Sequence, residues 1–168
     1  MRENILIKGK PGIGKTTLIK RLVERLEVEK GGFYTEEMRE HGFRVGFRIM
    51  TLDGRKGILA HVGIRSKFRV GKYFVNISDI DNMAVDSIIS SLNKDIIIID
   101  EIGRMELISE KFKDAVLKAL NKRRVLGTIK ATSDKFTDEI MKRNDTKVIE
   151  INLRNRNNLI DKILSCID

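Results

Sequence analysis

Two stretches of this chain carry residues whose types and spacing suit chemistry. Gly9 to Thr16 reads GKPGIGKT, which satisfies the pattern G-x-x-x-x-G-K-[ST]. Glycines at 9, 12 and 14 let successive amide hydrogens turn inward, and the positive end of a following helix reinforces them. The loop of Gly9, Lys10, Pro11, Gly12, Ile13 and Gly14 is therefore predicted to cradle the β-phosphate of a nucleotide. Lys15 is the movable charge for the β- and γ-oxygens, Thr16 offers its hydroxyl to a magnesium ion, and Thr17 touches the α-phosphate. The second stretch, Ile96 to Leu107, reads IIIIDEIGRMEL. A run suited to a dry interior that ends in Asp100 and Glu101 is unfavourable unless a cation or several donors meet the carboxylates there.

A magnesium ion carried with the phosphates is such a cation. The isoleucine strand is predicted to lie next to the phosphate loop, where Asp100 shares the metal with Thr16. Glu101, one residue further and pointing elsewhere, is predicted to orient or deprotonate a water lined up on the γ-phosphorus. Regulatory GTPases commonly use glutamine for that task, and this chain contains none. Arg104 has two readings: a finger laid against the charge growing on the γ-phosphate, or a surface arginine paired with Glu106 or Glu110. Thr128 likewise either senses the γ-phosphate or is a buried β-branched side chain.

The elements that must position these groups follow from periodicity. Asn4 to Gly9 is a short apolar strand, and Leu18, Ile19, Leu22, Val23 and Leu26 line one face of a following helix. From Phe43, apolar residues alternate through Val45, Phe47 and Ile49 to a turn at Asp53 and Gly54, which predicts an antiparallel hairpin continuing into RKGILA. Ser78 or Asp79 is expected to cap a helix that leads into the isoleucine strand, and Ser109 to cap the next. RRVLGTIKA and KVIEIN are strands, a short helix follows Ser133, and Leu159 to Ile167 close the chain as an amphipathic helix. Strands alternating with helices predict an α/β fold: a doubly wound, mostly parallel sheet with helices on both faces and the hairpin as an antiparallel extension at one edge.

Composition bounds the class. The 168 residues suit one domain spanning 1–168, with no internal repeat and one proline. No apolar run reaches a membrane span and MRENILIKGK lacks a secretory layout, so a soluble cytoplasmic protein without membrane contact is expected, a monomer for preference. One cysteine, Cys166, fits a reducing compartment. The net charge of +9 favours anionic partners without choosing among nucleotides, nucleic acid and lipid. No motif supports nucleic acid, and the nearest match to a guanine-reading element, NKDI, lacks its aspartate. The stretch IRSKFRVGKY, with Arg65, Lys67, Arg69 and Lys72 beside Phe68 and Tyr73, is either a lid or a charged edge strand.

Taken together, GKPGIGKTT, GGFYTEEMRE, VGKY, DEIGRMEL and the late NRN resemble the small nucleoside-triphosphatases of the thermophile type, a P-loop NTPase family whose pattern covers nearly the whole chain. The resemblance implies magnesium-dependent hydrolysis of the terminal phosphate of several nucleoside triphosphates, with Mg2+ as cofactor and little base preference. It implies that Asp100 to Arg104, Gly103 included, form a second nucleotide-contacting segment. It also implies that Asn155 and Arg156 pass the base, on which Arg156 stacks, the alternative being an asparagine-rich turn that caps the last helix. Family members often carry lysine where this chain has Arg104. The composition leaves two rivals: a phosphotransferase using the same loop, and an RNA-associated nucleotide switch.

Overall fold

The structure is a computed structural model that describes residues 3–167, so Met1, Arg2 and Asp168 lie outside the described residues. In chain order, β1 (Asn4–Lys8) leads through the glycine loop into α1 (Lys15–Arg25), followed by β2 (Lys30–Glu40), β3 (Phe43–Thr51) and β4 (Lys56–His61). A small hairpin of β5 (Arg69–Val70) and β6 (Tyr73–Val75) comes next. A helical segment follows, made of α2 (Ile77–Asp79), a wider π-type turn over Ile80–Val85 and α3 (Asp86–Ile89). Then come β7 (Ile96–Ile102), a 3-10 turn at Glu106–Ile108, α4 (Glu110–Leu120), β8 (Val125–Ile129), α5 (Lys135–Met141), β9 (Thr146–Glu150) and α6 (Leu159–Ile167).

All nine strands form one sheet in the order β5-β6-β4-β3-β2-β7-β8-β1-β9. From β2 to β9 every pairing is parallel, and from β2 out to β5 every pairing is antiparallel. The four-isoleucine run is explained by burial on both sides. Ile96 and Ile98 pack with Ile19 and Leu22 of α1 and Ile163 of α6, whereas Ile97 and Ile99 pack on the other face with Phe112 and Val116 of α4. A strand sandwiched this way needs apolar side chains at every position rather than at alternate ones.

Two local expectations are corrected. Asn76, not Ser78 or Asp79, caps the helical segment, its side chain accepting from the Asp79 amide. Lys30–Glu40, whose charged second half hides any strand pattern, is the joint of the sheet, parallel to β7 on one side and antiparallel to β3 on the other. The hairpin extension thereby becomes a five-strand antiparallel wing that begins at β2. Within the sheet, β8 lies between the isoleucine strand and β1.

Gly32 sets how closely β2 approaches β7. It adopts φ +101, and a Cβ there would stand 2.0 Å from the Ile98 carbonyl oxygen. Both the left-handed backbone and the collision exclude other residues. Gly32→Ala is expected to destabilise the fold by at least about 2 kcal/mol, read as a lowered denaturant midpoint. A midpoint equal to that of the wild type would show that the β2–β7 junction tolerates side chains.

Candidate active site

The loop after β1 is built as its glycines require. Gly12 and Gly14 have φ 78 and 108, left-handed values, and Gly14 ends the loop as α1 begins. Gly9 serves a different purpose, since a Cβ there would lie 2.6 Å from Ile151 Cγ2 just beyond β9. The buried Lys15 folds back over the loop and donates from Nζ to the Gly9 carbonyl at 2.9 Å and the Lys10 carbonyl at 3.3 Å.

Asp100 ends the run of four isoleucines at 1% exposure. Thr16 Oγ1 donates to its Oδ2 at 2.8 Å, and Thr128 Oγ1 donates to its Oδ1 at 2.6 Å. The Thr35 amide of β2 is a further donor. Burial pushes this carboxyl above the ordinary range, while Thr128, Thr16, the Thr35 amide and the Lys15 charge pull it back. β8 lies between β1 and β7, and its Thr128 reaches Asp100 from there. Thr128 is fully buried and acts as a holder of Asp100.

Glu101 points the other way along the strand end and is only partly buried. Burial raises it, the Lys15 charge opposes this, Asp100 adds to it, and Lys130 opposes it again. Lys130 follows β8 and is held by the Thr132 carbonyl at 2.7 Å and the Asp134 carboxylate at 2.6 Å. Sequence reasoning missed Lys130, because nothing in RRVLGTIKA separates it from a surface lysine. It missed Glu106 too, a carboxyl with 4% exposure pushed well above its ordinary range by burial and by the negative charges of Glu101 and Asp100. A buried acid in the first turn of a helical segment looks, in sequence, like any helix-starting glutamate.

A cavity of about 700 Å³ joins these groups. Of the expected residues, Gly9, Pro11, Gly12, Gly14, Lys15, Thr16, Thr17, Glu101, Gly103 and Arg104 line it. Asp100 lies just beneath, reached through Thr16, while Lys10 is exposed and Ile13 packs against the core formed with α1. Arg104 is exposed, with no ion pair to Glu106, Glu110 or any other carboxylate among the described residues. Asn155 and Arg156 do not line the cavity. The Asn155 side chain instead builds its own turn, donating to the Glu150 carbonyl and accepting from the Asn152 amide, both at 2.8 Å. The far wall comes from the antiparallel wing, with Glu36, Glu37, Arg44, Phe47 and Val70. There Arg44 donates to Tyr73 Oη at 2.9 Å and pairs with Glu37 at 2.9 Å. The stretch IRSKFRVGKY forms the edge hairpin of this wing, and its Val70 faces the cavity.

A magnesium ion fits this donor set. Among the described residues no group of three or more histidine, cysteine or acidic side chains is arranged to hold a metal ion. One carboxylate and one hydroxyl 2.8 Å apart suit a small hard cation that keeps waters and takes its other ligands from phosphates.

Known proteins share this arrangement of elements. The family model described as NTPase matches residues 4–164. A nucleoside-triphosphatase THEP1 from Thermotoga sp. (strain RQ2) is 53% identical over 165 residues, 97% of this chain and 94% of that one. The crystal structure of THEP1 from the hyperthermophile Aquifex aeolicus superposes with a TM-score of 0.90 at 37% identity, covering 98% of this chain and 99% of that one. The solution structure of a human cancer-related nucleoside triphosphatase gives a TM-score of 0.84 at 36% identity, covering 99% and 97%.

Glu106 also leaves a signature in stability. Its folded form holds a proton that the unfolded chain releases around the ordinary glutamate value of 4.5. The associated stability is full below that pH and is lost as pH rises through the raised native value. Glu106→Gln removes this dependence, so the denaturant midpoint of the wild type is expected to fall relative to the variant as pH climbs from acid to neutral. Parallel curves would mean that the Glu106 carboxyl ionises alike in both states.

Proposed function

The chain belongs to the NTPase family and is a nucleoside-triphosphatase; we propose that it hydrolyses the γ-phosphate of ATP, GTP and other nucleoside triphosphates in a magnesium-dependent reaction. The observation that carries this reading is the convergence of Thr16 and Asp100 at 2.8 Å, with Glu101 lining the same cavity as the glycine loop. The loop amides bind the β-phosphate, and Lys15 exchanges the Gly9 and Lys10 carbonyls for phosphate oxygens. Thr16 and Asp100 would hold the metal, which supplies positive charge at the β- and γ-oxygens. Glu101 accepts a hydrogen bond from the attacking water and holds it on the γ-phosphorus. The free guanidinium of Arg104 on the cavity wall serves as a finger for the outer phosphoryl group. Broad base tolerance follows if Arg156, exposed beyond β9, meets the base by stacking alone.

Among the described residues no helix is long and apolar enough to cross a membrane. With a single free cysteine, a cytoplasmic setting is the reading that fits.

Three measurements test the proposal. Phosphate release across a panel of triphosphates is expected to stop when magnesium is chelated, and γ-label is expected to appear only as free phosphate. Label moving to an added acceptor would favour the phosphotransferase instead. Glu101→Gln is expected to lower kcat by on the order of a hundredfold or more with nucleotide affinity retained. Unchanged turnover removes the water-orienting role. Lys15→Ala is expected to weaken triphosphate binding by on the order of tenfold or more in a titration, since its charge meets the phosphates directly. Equal affinity would place the triphosphate elsewhere.

A further inference from the structure

The outer part of the antiparallel wing carries most of the chain's net charge. Between Gly54 and Ser78 lie six basic residues and no acidic one, +6 of the total +9. Arg55 is paired with Asp53 and Asp86. Lys56, Arg65, Lys67, Arg69 and Lys72 are exposed and form no ion pair among the described residues. Cations left without acidic partners in one part of a sheet make a local positive field that suits a polyanion.

Strand register gives this part of the wing an aromatic face as well. Phe47, Ala60 and Val75 are cross-strand partners on β3, β4 and β6, and all three belong to or pack against the core that contains Phe112. Successive strand residues alternate faces, so the adjoining row of Gly46, His61, Phe74 and Arg69 turns the opposite way. In that row His61 and Phe74 are paired neighbours, each half-buried, and the Arg69 guanidinium lies 5.5 Å from the centre of the Phe74 ring. The Gly63 amide donates to His61 Nδ1 at 2.9 Å, which fixes the imidazole, and Gly46 sets no side chain against it. Arg48, two residues along β3 on the same face, is also free of any ion pair among the described residues.

Lysines and arginines on an edge strand keep it from pairing with another sheet. That purpose is not served by Phe68, 45% exposed among them, or by a row of rings turned away from the core. Rings that offer their faces beside unpaired cations are the two parts of a platform for unpaired bases and their phosphates. None of Arg48, His61, Arg69 and Phe74 lines the nucleotide cavity, so the platform is a separate surface.

We propose that this face of the wing binds single-stranded nucleic acid, with bases stacking on Phe74 and His61 while Arg48, Arg69 and the neighbouring lysines meet the phosphates. A duplex hides its base faces and satisfies only the charges. The inference stands on charge and register and is independent of how the cavity hydrolyses its nucleotide.

The test is fluorescence anisotropy with a labelled single-stranded RNA of about 12 nucleotides, within the span such platforms hold. The same sequence as a duplex, heparin, and vesicles containing phosphatidylserine serve as competitors. Affinity for the single strand is expected to fall by about tenfold as salt rises from about 50 to about 200 mM. Lys67→Gln, Arg69→Gln and Lys72→Gln together are expected to weaken binding by about tenfold or more and to flatten that salt dependence. Phe74→Leu is expected to weaken single-strand binding by about fivefold or more while heparin binding is unchanged. Thermal melts and phosphate release without nucleic acid establish that the variants fold; should Phe74→Leu not fold, His61→Ser carries the same expectation and decides. No binding by the wild type would overturn the proposal. So would duplex, heparin or vesicles competing as well as unlabelled single strand, which would leave a surface that reads charge alone, or wild-type affinity in the folded ring variant.

Discussion

The carboxylate of Asp100 is the joint on which the site depends. It is buried at the end of a strand flanked by apolar layers on both faces, where an unaccompanied negative charge would be strongly disfavoured. The protein meets it with hydroxyls from two separate elements, Thr16 in the first turn of α1 and Thr128 on β8, and with the Thr35 amide of β2. Each donor reaches Asp100 only if its own element is in register, so one carboxylate fixes the glycine loop, the central strands and the start of the antiparallel wing relative to each other. Satisfying a buried acid and assembling the site are the same structural event.

The wing gives the site its second wall. Gly32 lets β2 come close enough to β7 for pairing, and beyond that point β2 turns its Glu36 and Glu37 toward the cavity while β3 brings Arg44 and Phe47. Arg44 is not free to wander: it stacks over Phe47 at 5.1 Å and is tied to Tyr73 and Glu37. The cavity thus has a floor built from the ends of parallel strands and a side built from an antiparallel sheet continuous with them. That continuity makes the wall part of the scaffold rather than an added loop.

What was legible in the sequence follows from how local each signal is. The glycine loop, the isoleucine strand and the Ser109 cap carry their meaning within a few residues, and the structure has the loop, the strand and the cap at those positions. β2 was not legible, because a segment that begins with two glycines and ends in charge acquires its strand character from β7 and β3, not from its own periodicity. The insertion of β8 between β1 and β7 was also hidden, since strand order depends on long-range pairing. Within the site, the loop residues and Glu101 could be named from motif alone. Lys130, Thr35 and Glu106 could not, because their significance comes from where distant elements place them.

The charge of the chamber completes the physical picture. The chain as a whole carries +9, which draws anionic ligands from a distance, yet Glu101 and Glu106 line the chamber and Asp100 lies just beneath it, close to where a triphosphate would lie. Long-range attraction does not remove repulsion at contact distance, so each local acid needs its own compensation. Asp100 is met by hydroxyls and an amide and fits a divalent ion, Glu101 by the charges of Lys15 and Lys130, while burial and its acidic neighbours push the Glu106 carboxyl well above its ordinary range. Three acids at one site thus meet three different sets of neighbours.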